Sequence, residues 1–204
     1  MAKTQSGERG AIDLLAQDHK RIHKLFKDFE KVDRNDPDAV RELVETACLE
    51  LQIHSMLEEE IFYPAVRGQA KAQQHEDMLN RAEVEHEAVD ELIAKLHALE
   101  PDDPMYYAYF AVLADHVKHH IRHEEQTLFA SAEAMGGLNL EQLGADMRLR
   151  REELFAEMER GEEEDAAAES AVLEGSALGD DADLEAEETL EDEQEQIDIS
   201  RTRH

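Results

Sequence analysis

Six residues stand where the helical pattern of this chain calls for leucine or isoleucine: His19, His54, Glu58, His86, His120 and Glu124. Val44, Ala47, Leu51, Ile61 and Ala65 surround His54 and Glu58 at alternating three- and four-residue spacing. Ile12, Leu15, Ile22, Phe26 and Phe29 do the same for His19. Such spacing marks the inward stripe of an amphipathic helix, and polar groups aimed into a core are costly unless paired. His54 and Glu58 are four residues apart, as are His120 and Glu124. Each pair therefore shares one helix face, with Cβ atoms roughly 5–6 Å apart. Imidazole nitrogens and carboxylate oxygens so placed suit a common Fe, Mn or Zn ion. A water-linked layer of His–Glu pairs would also satisfy them, but six interruptions with a repeated His-x-x-x-Glu favour a metal. His23, one turn from His19, is a further ligand candidate. His116 is expected beside the ligands or in packing. His75, His97, His119 and His123 are expected in solvent, and Tyr63, Tyr106, Tyr107 and Tyr109 in packing, with one of them available to line a ligand pocket.

Holding these residues together takes four helices. The periodicity predicts them over Ala11–Val32, Pro37–Arg67, Ala72–Leu99 and Met105–Ala134. Asp36-Pro37 and Asp103-Pro104 are start signals, a capping carboxylate followed by proline at the first helical position. Pro64 is expected to kink the second helix near its end. Inward stripes continue through Leu79, Ala82, His86, Val89, Ile93 and Leu96, and through Phe110, Leu113, Val117, His120, Glu124 and Thr127. The two halves repeat. His19-(x)2-Ile22-(x)2-Leu25-Phe26 matches His86-(x)2-Val89-(x)2-Leu92-Ile93 at an offset of 67, and His54-(x)3-Glu58-Glu59 matches His120-(x)3-Glu124-Glu125 at an offset of 66. A helical hairpin used twice, with short loops, predicts an all-α, up-down-up-down four-helix bundle with pseudo-twofold symmetry.

Beyond the bundle, Asn139 and Gln142 resemble a capping box. Leu140, Leu143, Met147, Leu154, Phe155 and Met158 form an apolar stripe. An additional C-terminal helix over 137–160 is predicted, packed on the bundle or forming a dimer contact. From Gly161 onward there are 17 acidic and 2 basic residues and no aromatic. Such a segment buries too little apolar surface to offset its ordering entropy. The expected organisation is a disordered lead-in over 1–10, the bundle over 11–136, the extra helix over 137–160 and a disordered acidic tail over 161–204.

Charge narrows the function classes. Against 51 Asp and Glu there are 21 Lys and Arg, a net charge of −30. The expectation is no nucleic-acid partner and no membrane partner. Cys48 is the single cysteine, so no internal disulfide can form, and it is expected to be inert. No apolar run reaches the roughly 20 residues that span a bilayer, and the first residues carry no apolar signal region. A cytoplasmic location is expected.

Asp18-His19, His54-(x)3-Glu58-Glu59-Glu60-Ile61-Phe62-Tyr63-Pro64, Glu85-His86 and His119-His120-(x)3-Glu124-Glu125-(x)3-Phe129 together resemble the hemerythrin-like family, the HHE cation-binding domain. The resemblance covers about residues 11–134. It implies a four-helix bundle and two iron ions in an oxo-bridged non-haem centre. His19, His54, Glu58, His86, His120 and Glu124 would be ligands, with both glutamates bridging. The oxygen-carrying hemerythrins place two histidines four apart on helix three and an aspartate on helix four. This chain instead has His86 followed by Asp90, paired His19 and His23 on helix one, and Glu124. The implied functions are binding of O2, NO or iron for carriage, sensing or scavenging; a di-iron enzyme acting on peroxide or oxidising a small substrate; or iron storage or sensing. The first, a metal-binding protein without a dedicated organic substrate, is the reading adopted. Neither a nucleophile with an activating base nor a phosphate-binding loop is evident in the sequence, and its oligomeric state is open between monomer and dimer.

Overall fold

The computed structural model describes residues 10–69 and 73–177. In chain order the elements are α1 (Ala11–Phe29), α2 (Pro37–Leu57), a π-helical turn (Glu58–Phe62), α3 (Tyr63–Gln69), α4 (Gln73–His97), α5 (Pro104–His123), a second π-helical turn (Glu124–Leu128), α6 (Phe129–Ala134) and α7 (Leu140–Ala177). α3 and α6 prolong α2 and α5, so four rods form the bundle. α1 lies against α2 and α5, and α4 against α5 and α2. The predicted caps form. Asp36 accepts from the Ala39 N–H at 3.1 Å, and Asp103 from the Met105 N–H at 2.7 Å. Each cap is worth about 1 kcal/mol. No helix among the described residues is long and apolar enough to cross a membrane.

Two expectations require correction. The inward stripe does not pass through Ile61, Ala65 and Thr127; Phe62, Val66 and Leu128 are the buried residues. The cause is the pair of π-helical turns. The Tyr63 N–H reaches back to the Glu58 carbonyl, and the Phe129 N–H to that of Glu124. An i→i−5 turn inserts one residue and advances the buried face by one position. Pro64 is not its cause, because the repeat-mate of Pro64 is Ala130. Disorder from Gly161 is the second correction, since α7 continues to Ala177. Residues 162–174 are rich in Ala and Glu, strong helix formers that outweigh Gly161 and Gly175 at about 1 kcal/mol each. Residues 178–204 and 1–9, expected to be disordered, lie outside the described residues.

The chain divides into two compact units, Met1–Leu154 and Phe155–His204. In the first, α7 packs on the bundle through buried Met147 and Leu154. Arg151 binds Asp18 of α1, and Arg150 binds Glu60. The described part of the second unit is the continuation of α7.

Two apolar floors bracket the polar layer. One is the large cluster of Ile22, Phe26, Phe29, Val89, Ile93, Phe110 and Leu113, with the Phe29 and Phe110 rings 4.2 Å apart. The other contains Leu15, Phe62, Val66, Leu79 and Leu128. Between them His19, His54, Glu58, His86, His120 and Glu124 are buried.

Candidate metal centre

α1 and α2 bring His19 and His54 together edge-on, with their Nε2 atoms 3.2 Å apart. α4 and α5 bring His86 and His120 together, at 3.3 Å. Glu58 and Glu124, each the first residue of a π-helical turn, lie between the pairs. Glu58 Oε2 is 3.4 Å from His54 Nε2 and 3.3 Å from His86 Nε2. Glu124 Oε2 is 3.3 Å from His19 Nε2 and 3.7 Å from His120 Nε2. Each carboxylate thus touches one histidine of its own hairpin and one of the other. All six residues are buried. His19, His54, Glu58 and Glu124 form one group, and Glu58, His86 and His120 a second; within each, one ligand-type atom per residue lies within 4.8 Å of the others.

Three further carboxylates hydrogen-bond imidazole Nδ1 atoms, and a fourth stands near one without bonding it. Glu125 meets His19 Nδ1 at 2.9 Å, Glu59 meets His86 Nδ1 at 2.7 Å, and Glu85 meets His120 Nδ1 at 3.1 Å. Asp18 stands 3.6 Å from His54 Nδ1, shared with Arg21 and Arg151, which both bind it. A proton held at Nδ1 leaves Nε2 as a free lone pair facing the centre, which is how a histidine is prepared for a metal. The sequence signal was present: Asp18 and Glu85 directly precede a ligand-type histidine, and Glu59 and Glu125 directly follow a ligand-type glutamate. Their adjacency could not say which ring each would meet.

Tyr63 is the one of the four tyrosines that reaches the centre. Its hydroxyl donates to Glu58 Oε2 at 3.1 Å and lies 3.3 Å from Glu124 Oε1, while its ring stacks on His86. Its repeat-mate Phe129 stacks on His19 at 5.6 Å and has no hydroxyl, so the two halves differ here. His23 belongs to neither group. It is half-exposed and lines a cleft with Lys118, Ile121, Arg122, Glu125 and Gln126. Ile22 takes the inward place on that turn of α1, which rotates His23 away. His116 and His119 are also outside the layer and exposed.

Burial works against charge throughout the layer, and the neighbours decide where charge survives. Glu124, Glu58 and Glu125 outweigh burial at His19 and push it up to about 9. Glu58 and Glu59 push His86 up to about 10. His54 goes the other way, to about 4, through burial and the charge of His19. Burial and the adjacent Glu124 raise Glu58 to about 8; Glu124 is lowered, with His19 and His120 overcoming its burial. Without a metal, protons shared among these groups must hold the layer together.

The donor set fits metal cations. Glu58 Oε1 and Glu124 Oε2 are buried with no hydrogen-bond partner, and two imidazole nitrogens converge from each side. Nitrogen and carboxylate oxygen donors without thiolate suit first-row metals of intermediate character. Cys48 is remote in chemistry as well as in place: it is buried in the apolar cluster, and burial pushes its thiol up to about 12.

Comparison with known proteins agrees with this geometry. A solved structure of a hemerythrin HHE cation-binding domain-containing protein of Mycobacterium kansasii is similar in fold, with a TM-score of 0.61 and 22% identity, covering 72% of this chain and 87% of that one. A protein of Nostoc sp. (strain PCC 7120) named DNA nickase is 31% identical over 122 residues, 58% of this chain and 32% of the relative. The chain therefore spans about a third of that relative's length. Residues 10–132, which include all six converging side chains, match the family described as hemerythrin HHE cation binding domain, and the chain belongs to that family.

Proposed function

We propose that the layer holds two iron ions and that the protein binds a small diatomic ligand, O2 or NO, for carriage, sensing or scavenging. The observation that carries this reading is the placing of Glu58 and Glu124 between two histidine pairs, where each carboxylate would be within reach of an ion held by either pair. His19, His54, Glu58 and Glu124 would hold one ion, and His86, His120 and both glutamates the other. Iron so held would supply redox chemistry and the capacity to bind an exogenous ligand. The chain supplies the rest. Glu59, Glu85 and Glu125 keep three imidazoles oriented, the apolar floors shield the layer, and Tyr63 holds a proton at its hydroxyl between the two carboxylates. His23 takes no part in binding the ions.

Stopped-flow mixing of reduced, iron-loaded protein with O2, then NO, then peroxide tests the reading. Reversible, concentration-dependent spectral changes without sustained peroxide consumption are expected. Sustained consumption would make the protein an enzyme instead.

A second reading comes from the relative named DNA nickase. Lys20, Lys24 and Lys27 recur at helical spacing on α1 and, with Lys31 just beyond its end, line one groove with His23 and Asp28. Lys118 and Arg122 of α5 line a neighbouring cleft, also with His23. A local basic stripe can contact phosphate backbone despite the overall charge. Supercoiled plasmid incubated with the iron-loaded protein would show nicked circles under this reading, and fewer with Lys24→Glu and Lys27→Glu.

A further inference from the structure

The two hairpins are alike at the centre but unlike on their outer faces. On the first, Asp18, Ile53 and Leu57 are all buried. Arg151 of α7 binds Asp18 and lies 3.8 Å from Glu50, and Arg150 binds Glu60. The repeat-mates of Asp18, Glu50, Ile53 and Leu57 are Glu85, His116, His119 and His123. Arg150 and Arg151 of α7 thus pair with the first face. The second opens as a cleft of about 510 Å³ lined by Glu85, Val112, Asp115, His116 and His119. Where one face has buried isoleucine and leucine, the other has exposed His116 and His119 and a half-buried His123.

This cleft leads to the centre through ligand-type atoms. His119 is 60% exposed, and its Nδ1 lies 3.7 Å from Glu85 Oε1. The other oxygen of Glu85 meets His120 Nδ1 at 3.1 Å, and His120 Nε2 faces the centre. A metal ion entering an apolar bundle must give up its water stepwise, because bare charge in a core is prohibitive. Imidazole and carboxylate donors can replace that water one at a time. A second described cleft also reaches a carboxylate that orients a ligand, Glu125, but its walls include Lys118, Arg122 and His23. Cationic walls repel a cation; the first cleft is lined by carboxylates and imidazoles and by no lysine or arginine, although Glu85 pairs with Arg81 at 2.9 Å and Asp115 with Lys118 at 3.7 Å beside it. We infer that the cleft of Glu85, Val112, Asp115, His116 and His119 is the route by which divalent metal ions reach and leave the buried centre, with His116, His119 and Asp115 as transient ligands.

This rests on the reading of the buried layer as a metal centre, and the test separates the two. Cys48 is buried and unreactive, so Val112→Cys gives the chain an accessible thiol, Val112 being 49% exposed. A bulky maleimide attached there plugs the cleft. Met105→Cys, 51% exposed at the start of α5, carries the same label as control. Uptake of ferrous ion by the chelator-treated protein and release from the loaded protein to a chelator are both timed. The plug is expected to slow both by about tenfold or more, and His116→Ala with His119→Ala to slow uptake by about threefold or more. Final metal content should be unchanged in each case. Release needs no refolding of a metal-free form, so it decides the matter if uptake cannot be measured. Rates unaffected by the label at position 112 would overturn the route. Metal content below two ions in the unlabelled wild-type chain would overturn the centre itself.

Discussion

The Nε2 atoms of His19 and His54 stand 3.2 Å apart in a bundle core, and in the metal-free protein the two rings cannot both carry charge. His19 is held up to about 9 by Glu124, Glu58 and Glu125 against its burial, while burial and His19 hold His54 down to about 4. His86 is raised to about 10 and Glu58 to about 8. A folded-state pKa raised above the unfolded value gives stability that is lost as pH rises through the folded value. His19, His86 and Glu58 therefore predict that the metal-free protein weakens from neutral pH towards pH 10. A lowered folded-state value has the opposite sign, so His54 and Glu124 weaken it as pH falls below neutrality. Bound metal displaces the protons of the layer, which removes the alkaline loss. Melting temperatures of chelator-treated and metal-loaded protein should diverge as pH rises from 7 to 10. Parallel curves would refute this account of the protons.

Tyr63 and Phe129 occupy matching places, each stacked on a histidine. Phenylalanine is thus already accommodated at one of the two. Tyr63→Phe should change stability by about 1 kcal/mol or less, the usual net value of one hydrogen bond. It should keep both metals and alter the absorption spectrum of the iron-loaded protein, since the hydroxyl contacts both shared carboxylates. Loss of metal content would mean that the hydroxyl is needed to assemble the centre.

Glu125 and Glu59 are partly exposed yet bind the Nδ1 atoms of His19 and His86. Exposed charge contributes little to stability, but loss of a group that orients a metal-binding histidine weakens affinity by roughly 10–100-fold. Glu125→Gln and Glu59→Gln should therefore leave the melting temperature of the metal-free protein almost unchanged. Competition with a metal chelator should show the weakened affinity. Unchanged affinity in both variants would make these contacts incidental.

His23 and the six converging residues show what the sequence could and could not convey. The six were legible because each is polar at a place whose neighbours three and four residues away are apolar. His23 shared the residue type and the one-turn spacing of a ligand, but its place is decided by Ile22, which turns inward instead. The π-helical turns were not legible. One contains proline just after it and the other does not, so no residue type marks them, and the inward faces after Glu58 and Glu124 slipped by one position. The pairing of Asp18, Glu59, Glu85 and Glu125 with particular rings depends on how the rods cross, which no local pattern encodes. α7 outlasted its apolar stripe because alanine and glutamate propagate a helix without a core.

His23→Leu follows from that placement. It should retain full iron content and leave an azide titration of the iron spectrum unchanged in stoichiometry and affinity. A second azide site appearing in the variant would place His23 among the ligands.

The central claim is that four histidines and two shared glutamates hold a pair of ions. Intact-mass measurement of the folded chain, purified gently from iron-replete cells, counts them directly. The account predicts two iron ions per chain, with Glu58→Gln, which removes a charge from both groups, losing them together. A single ion, or none, in the wild-type chain would contradict it.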